Sequence, residues 1–431
     1  MPLTINAPLT LQSGLVFPNR LVKAAMTEGL ADPRNRVTEE HLTLYRRWAE
    51  GGAGGLITGN VQIDRHHLER VGNVVIDAST GEDEMDGFSR WAEAAKSRGA
   101  ALVMQVSHAG RQTPKLVNPR PAAPSPVGLP GGQFGEPRAM TPDEIRAVVE
   151  GFGRAAKLAK RTGFDGVQVH AAHGYLLSSF LSPLANRRED DWGGPLENRA
   201  RLLVDCVREA KIQGGAGFSV SVKLNSADFQ KGGFSHEDCL MVIDILNGLG
   251  VDFVEISGGN YEQPKMMDME GLEPSFEETR RTSTREREAY FLSYAKSVQD
   301  RASMPLMVTG GFRTLGGMNA ALASGEADLI GIGRPLCVDT ATPAKLLAGE
   351  IETADRWEAQ LRIGPGLFGP NSPIKLVKAI NGFGAQGWYY EQLRLLAAGK
   401  APNPKLGVLK AFMAHQKRET VSAKAWRAAM P

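Results

Sequence analysis

The chain has 431 residues, 42% apolar and 23% charged, with 50 Lys+Arg against 48 Asp+Glu for a formal net charge of +2. That balance excludes the basic arm of a nucleic-acid binder and gives no sign of a polyanionic partner. Three cysteines (Cys206, Cys239, Cys337) lie far apart with no C-x-x-C spacing, which excludes a thiolate zinc or iron–sulfur site of the usual spacing and a disulfide framework.

In chain order, the opening MPLTINAPLTLQSG lacks a basic n-region followed by an apolar h-region and is read as carrying no signal peptide. No uncharged apolar run nears the ~18 residues of a membrane span, so a cytoplasmic protein without membrane contact is expected. Leu9–Leu11 and Leu15–Phe17 around Ser13-Gly14 predict a hairpin. Eight short β-rich runs follow: Leu21–Met26, Gly55–Gly59, Ala101–Ser107, Gly166–Val169, Ser219–Leu224, Phe253–Ser257, Leu306–Thr309 and Leu329–Ile332. Several are apolar throughout, as for strands buried on both faces.

Helical segments alternate with them. Thr38-Glu39-Glu40-His41 opens one, and Thr141-Pro142-Asp143-Glu144 opens another with Thr as cap, Pro at the first position and acids at the positive end of the dipole. Asn198–Lys211, His236–Leu249, Glu286–Arg301 and Gly316–Ser324 fill later crossovers. Eight strands, each followed by a helix, predict an α/β fold of the (β/α)8 TIM-barrel class, with the hairpin at its floor. The Pro- and Gly-rich stretch Pro114–Pro137 is expected to hang over the strand ends as a lid. After about residue 350 the rhythm stops. Residues 1–350 are read as the barrel domain and 351–431 as a helical extension packing on the barrel or on a partner subunit, and a homo-oligomer is compatible with this.

Ligands of such barrels bind at the carboxyl ends of the strands. There stand Ala25-Met26-Thr27, Thr58-Gly59-Asn60, Gln105 leading to His108-Ala109-Gly110-Arg111, His170-Ala171-Ala172-His173-Gly174-Tyr175, Lys223, Ser257-Gly258-Gly259, Thr309-Gly310-Gly311 and Gly331-Ile332-Gly333-Arg334. Glycine-rich turns after strands seven and eight expose backbone N–H groups suited to a phosphate, and Arg334 adds a charge-assisted contact. The residues alone leave alternatives open. His170 and His173 fit satisfied structural imidazoles as well as substrate ligands, although an H-x-x-H without H-E-x-x-H spacing does not read as zinc. Lys223 fits a partner of a buried carboxylate, or a Schiff-base nucleophile in an aldolase. Tyr175 fits core packing.

Residues 1–350 resemble the Old Yellow Enzyme family of FMN-dependent NAD(P)H:flavin oxidoreductases and ene-reductases. The resemblance rests on Pro18-Asn19-Arg20-Leu21-Val22, on Gln105–Arg111, on His170–Leu177 and on Gly331–Pro335. Its most specific part is Phe180-Leu181-Ser182-Pro183-Leu184-Ala185-Asn186-Arg187-Arg188 with Asp191-Trp192-Gly193-Gly194 and Glu197-Asn198-Arg199. It implies that Ala24, Ala25, Met26 and Thr27 line the flavin ring, with Thr27 bonding the carbonyl near N5. Asn60 would touch the ring through its backbone, Gln105 would bind the pyrimidine edge, and Lys223 would place positive charge beside N1. Gly311, Gly333 and Arg334 would hold the phosphate. His170 and His173 would grip a substrate carbonyl oxygen, and Tyr175 would give the proton. The implied reaction is reduction of FMN by NADH or NADPH, then hydride transfer to the β-carbon of an enone-type alkene, with no metal. NADH oxidase or oxidative demethylase activity, or non-catalytic flavin binding, are the alternatives. Ala25 stands where many relatives carry Pro, and Thr27 where one branch carries Cys, so no thiol tuning is expected.

Overall fold

The computed structural model describes residues 2–130, 132–257, 292–370 and 372–430. Eight parallel strands form one ring: β1 (Leu21–Lys23), β2 (Gly55–Ile57), β3 (Ala101–Ser107), β4 (Gly166–Ala171), β5 (Ser219–Asn225), β6 (Val254–Ser257), β7 (Leu306–Thr309) and β8 (Leu329–Ile332). Each pairs with the next, and β8 pairs with β1 to close the barrel. This is the (β/α)8 architecture expected from the alternation, and the strand boundaries differ from the sequence reading mainly at β1 and β2, which are shorter.

Alternate residues of each strand point into the ring. Toward the floor they are apolar: Val22, Ile57, Ala101, Val103, Phe253, Met307 and Leu329 form one buried cluster. The hairpin, Leu9–Thr10 paired antiparallel with Val16–Phe17, adds Leu11 and Phe17 to that cluster from below. Phe17 meets Phe253 edge-on at 6.1 Å between ring centroids. Glycine at position 55 makes room for it, since a Cβ there would lie 2.4 Å from the Phe17 ring. The plug keeps water out of the lower barrel.

The helices pack outside. They are α1 (Glu39–Glu50), α2 (Met85–Lys96), α3 (Pro142–Arg161), α4 (Leu176–Leu181), α5 (Leu196–Gly214), α6 (His236–Leu249), α7 (Leu292–Gln299), α8 (Leu315–Ala323), α9 (Thr342–Leu347), α10 (Lys375–Ala397) and α11 (Val408–Ala429). The start of α3 is a reciprocal cap: Thr141 Oγ1 accepts from the Glu144 N–H at 3.3 Å, and Glu144 Oε2 accepts from the Thr141 N–H at 2.9 Å. Ser235 and Asp238 do the same for α6 at 3.0 Å in each direction, and Gly250 ends that helix in the left-handed conformation (φ 60°). Three helices, α2, α4 and α9, have no counterpart in the sequence reading. Residues 286–291 of the expected helix before Arg301 lie outside the described residues, as do Gly258 and Gly259.

Residues 351–430 fold back on the barrel. The Trp426 indole donates to Asn35 Oδ1 at 2.9 Å, and Trp426 and Ala423 pack with Leu68, Val71 and Val75. The Arg70 guanidinium lies 3.8 Å from the Tyr390 ring centroid. Among the described residues, no helix is long and apolar enough to cross a membrane.

Between β1 and α1 lies a buried charge that a run of apolar residues had concealed. Lys23 is fully buried and donates to the Ile57 carbonyl at 2.6 Å; its ammonium sits 4.3 Å from the Trp48 ring centroid and 3.9 Å from Glu28. Burial brings the Lys23 ammonium down to about 8, with the Glu28 carboxylate working the other way. Glu28 is held by the Tyr45 hydroxyl and by the Gly59 N–H at 3.0 Å.

Nearby, His41 is buried against Trp91 and accepts from the Thr38 N–H through Nδ1 at 3.2 Å. Burial pulls His41 down to about 4, opposed by Glu28 and Asp32, and pulls His108 down to about 3, aided by His67. In the unfolded chain both titrate near the ordinary histidine value, so below about pH 6.5 that state binds protons the folded state refuses. Stability is therefore whole above that pH and declines toward pH 4, by about 1.4 kcal/mol per pH unit for each such histidine. Thermal melts between pH 7 and 4 should show this slope, and a shallower one in His41→Gln; equal slopes contradict the assignment.

Candidate functional site

Above the apolar floor the inward positions turn polar. Gln105 faces Gln168 across β3 and β4, and its Nε2 donates to Gln168 Oε1 at 2.6 Å. Gln168 Nε2 donates to Glu255 Oε2 at 2.9 Å, and Lys223 Nζ lies 2.8 Å from Glu255 Oε1. The strand register puts Lys223 beside both His170 and Glu255. Lys223 and Glu255 are both buried, so each charge depends on the other. Sequence reasoning found Gln105 and Lys223, but it missed Gln168 and Glu255, whose inward alternation is the available signal.

At the carboxyl end of β4 stand His170, His173 and Tyr175, all buried. His170 Nε2 and His173 Nδ1 are 3.2 Å apart, and the His170 and Tyr175 ring centroids are 5.0 Å apart. His173 adopts a left-handed backbone (φ 63°), unusual outside glycine. Its N–H is held by Asn225 Oδ1 at 3.1 Å and its carbonyl by Gln112 Nε2 at 2.6 Å, so the surroundings impose the conformation. Burial, followed by the charges of His173 and Lys223, holds His170 well below the usual histidine range; burial and Lys223 do the same to His173. Both imidazoles are neutral near pH 7.

A carboxylate absent from the sequence reading gathers this group. Glu69 Oε2 accepts from the Tyr175 hydroxyl and from Asn60 Nδ2 at 2.7 Å. Glu69 Oε1 accepts from the Thr27 hydroxyl and from Asn73 Nδ2 at 3.2 Å. Asn60 was expected through its backbone; its side chain also joins Glu69 to His170, whose Nδ1 lies 2.7 Å from Asn60 Oδ1. At the other end His173 Nε2 lies 2.8 Å from Ser257 Oγ. Thr27 therefore sits with Tyr175 and Asn60, and its single hydroxyl proton points to Glu69.

The ends of β7, β8 and β1 form the other side. Gly310 and Gly311 have φ of 110° and 88°, open only to glycine at low cost, and leave their peptide groups bare of side chains. Thr309 Oγ1 is buried with no hydrogen-bond partner among the described residues. Gly333 abuts Met26: a Cβ at 333 would lie 3.6 Å from Met26 Sδ, and Cys337 Sγ lies 3.5 Å from the same sulfur. Ala24 packs with the floor cluster, and Ala25 lies against it. Arg334 is half-exposed and lies 4.0 Å from Glu358, which also pairs with the buried Arg313 at 2.7 Å and accepts from the Tyr389 hydroxyl at 3.0 Å. Burial opposes its charge, but Arg334 and Arg313 hold the Glu358 carboxyl below its usual range. Glu358 belongs to the extension, so the tail reaches the expected phosphate cradle.

This donor set fits FMN. A buried cation and two amides face the barrel interior, and an orphaned hydroxyl, bare glycine turns and two guanidiniums stand at the end of β7 and β8. The stretch 114–137, expected as a lid, is tied down at several points. The Ala122 N–H donates to His67 Nε2 at 2.8 Å, Arg188 Nη1 donates to the Pro124 carbonyl at 3.1 Å, and Ser125 Oγ accepts from the Arg187 N–H at 2.9 Å. Asp64, His67 and His108 lie close enough together to suggest a metal. However, His67 already uses Nδ1 on Asp64 at 2.7 Å and Nε2 on the loop, so the cluster serves as the loop's anchor.

The description "NADH:flavin oxidoreductase / NADH oxidase family" matches residues 4–352. The chain belongs to that family. It is 39% identical over 354 residues to the NADH-dependent flavin oxidoreductase iliE of Neonectria sp. (strain DH2), covering 78% of this chain but only 46% of that protein. It is 36% identical over 371 residues to the protein of the same name from Hypocrea jecorina (strain QM6a), covering 81% of this chain and 90% of the relative. The old yellow enzyme homologue from Zymomonas mobilis superposes with a TM-score of 0.69 at 25% identity, covering 82% of this chain and 95% of that one. As a member of this family the protein is an enzyme whose cofactors are FMN and NAD(P)H. Removing the charge in Lys223→Met leaves Glu255 buried without its counter-ion. The apo protein should lose about 3–5 kcal/mol of stability, measurable by urea unfolding; a loss under about 1 kcal/mol contradicts a buried, mutually dependent pair.

Proposed function

We propose that this flavin oxidoreductase reduces α,β-unsaturated carbonyl compounds or similarly activated alkenes. The observation that carries the reading is the convergence of two neutral imidazoles and a phenol at one strand end. His170 and His173 approach within 3.2 Å, so one oxygen can receive an N–H from each once both facing nitrogens are protonated, and Tyr175 stands beside them. Bound there, FMN supplies the hydride for the β-carbon. Gln105 and Lys223 would hold the ring, and Gly311, Gly333, Arg334 and Arg313 the phosphate. Lys223 would also place positive charge beside the bound ring.

As negative charge grows on the substrate oxygen, the two imidazole N–H groups stabilise it, at about 3–4 kcal/mol for a preorganised donor of this kind. Tyr175 gives its proton to the α-carbon, completing addition of hydride and proton across the double bond. Neutral histidines suit this task, because a neutral ring offers an N–H without setting a further positive charge beside Lys223. The catalytic unit is assigned to residues 1–350, with 351–431 an extension that packs on it and supplies Glu358.

Purified protein should be yellow, be bleached anaerobically by NADH or NADPH, and regain its colour with 2-cyclohexen-1-one. Failure to oxidise on that addition, with brisk oxygen uptake, assigns NADH oxidase activity instead. In stopped-flow measurements Tyr175→Phe should slow reoxidation by the enone by about 10²–10⁴-fold while reduction by the nicotinamide changes little. Equal losses in both half-reactions contradict the proton-donor role.

A further inference from the structure

Four donor groups reach the Glu69 carboxylate: the Thr27 and Tyr175 hydroxyls and the amides of Asn60 and Asn73. A carboxylate can only accept, so Asn60 must turn its Nδ2 toward Glu69 and its Oδ1 toward His170. The remaining protons follow in sequence. Asn60 Oδ1 accepts from His170, so the single proton of that neutral ring is on Nδ1. His170 Nε2 is then an acceptor and takes the His173 Nδ1 proton, and His173 Nε2 accepts from the Ser257 hydroxyl. The direction of the whole wire is set at Glu69.

In that direction the pair is closed on itself. Its only N–H facing the gap, on His173 Nδ1, is given to His170. Two N–H groups can converge on a substrate oxygen only if the His170 proton moves to Nε2. Nδ1 must then accept, which requires Asn60 to present Nδ2 to it and Oδ1 to Glu69. Two facing oxygens repel unless Glu69 carries a proton.

We propose that Glu69 is a positioning residue for the alkene half-reaction: it aims the Tyr175 hydroxyl and, through Asn60, decides which nitrogen of His170 carries the proton, and hence whether the histidine pair is closed or open to a substrate oxygen. When Glu69 takes a proton from water, its carboxyl O–H donates a hydrogen bond to Asn60 Oδ1, and the amide turns to donate through Nδ2 to His170 Nδ1. His170 loses one proton at Nδ1 and gains one at Nε2, so neither ring is charged. Glu69 is part-exposed while Tyr175 is buried, so it is also placed to pass a proton from water to the phenol. The inference rests on the enone-reductase reading.

Glu69→Gln tests it, because the amide supplies in place the donor that only a protonated carboxyl can offer. Long-range ¹⁵N spectra of histidine-labelled, ligand-free holoenzyme should report His170 protonated at Nδ1 in the wild type and at Nε2 in Glu69→Gln, with His41 and His108 unchanged. The phenolate of 4-hydroxybenzaldehyde, read from its charge-transfer band with the flavin, should bind Glu69→Gln about tenfold more tightly, the value of one added hydrogen bond. In an Asn60→Ala background the same substitution should change that affinity by less than about twofold.

A wild-type His170 protonated at Nε2 overturns the assignment without any variant. So does an unchanged tautomer or unchanged phenolate affinity in Glu69→Gln. A carboxylate with a merely structural role would instead loosen FMN and shift all histidines together. If the wild type neither binds the phenolate nor turns over 2-cyclohexen-1-one, the reaction itself is wrong and the role of Glu69 falls with it. If it does both, the variants judge Glu69 alone.

Discussion

The register of the closed barrel is the constraint on which the site depends. Eight strands in one ring place Gln105 opposite Gln168, and place Lys223 beside both His170 and Glu255. No one of these residues would be stable there alone. A lysine and a glutamate buried side by side lose hydration, and their mutual approach and the hydrogen bond donated by the Gln168 amide offset that loss. A slip of one residue in any strand would turn that polar layer outward and bring apolar residues to the mouth.

Beneath this layer, the hairpin makes the polar chemistry effective. With Leu11 and Phe17 filling the floor, the lower barrel is dry, and charges above it act in a medium of low polarizability. The same dryness depresses the two histidines. His170 and His173 stay neutral because burial and the nearby Lys223 both oppose a second positive charge. Lys223 thus keeps the neighbouring imidazoles uncharged while it pairs with Glu255. Across the mouth, Glu69 and Glu358 supply the opposite sign, one beside Tyr175 and Asn60 and one beside Arg313 and Arg334.

Much of the architecture was legible locally. Strand positions show as short runs rich in β-branched residues, and Thr141-Pro142 and Ser235 start helices through contacts three residues long. Helix α2 carries a legible apolar stripe, Phe88, Trp91, Ala92 and Ala95, that the sequence reading passed over, whereas α4 escaped because Leu176–Leu181 is buried on every side and shows no amphipathic period. Within the site, His170, His173, Tyr175, Gln105 and Lys223 announced themselves by standing at or near strand ends. Glu69 lies in an irregular stretch beyond β2, where spacing carries no information. Lys23 looked like one polar residue in an apolar strand, and its partners Glu28, Tyr45 and Trp48 come from elements 5 to 25 positions away.

By itself, then, the chain determined the alternation of strand and helix, the apolar plug, and which strand ends carry donors, because each follows from residue periodicity or from caps a few residues long. The tertiary structure alone decided how those donors are joined. Glu69 meets Tyr175 across 106 positions, Asn60 meets His170 across 110, and Glu358 meets Arg313 across 45. Hydrogen-bond direction is a property of such closed sets: the proton on one imidazole depends on a carboxylate two side chains away, and no local pattern records it.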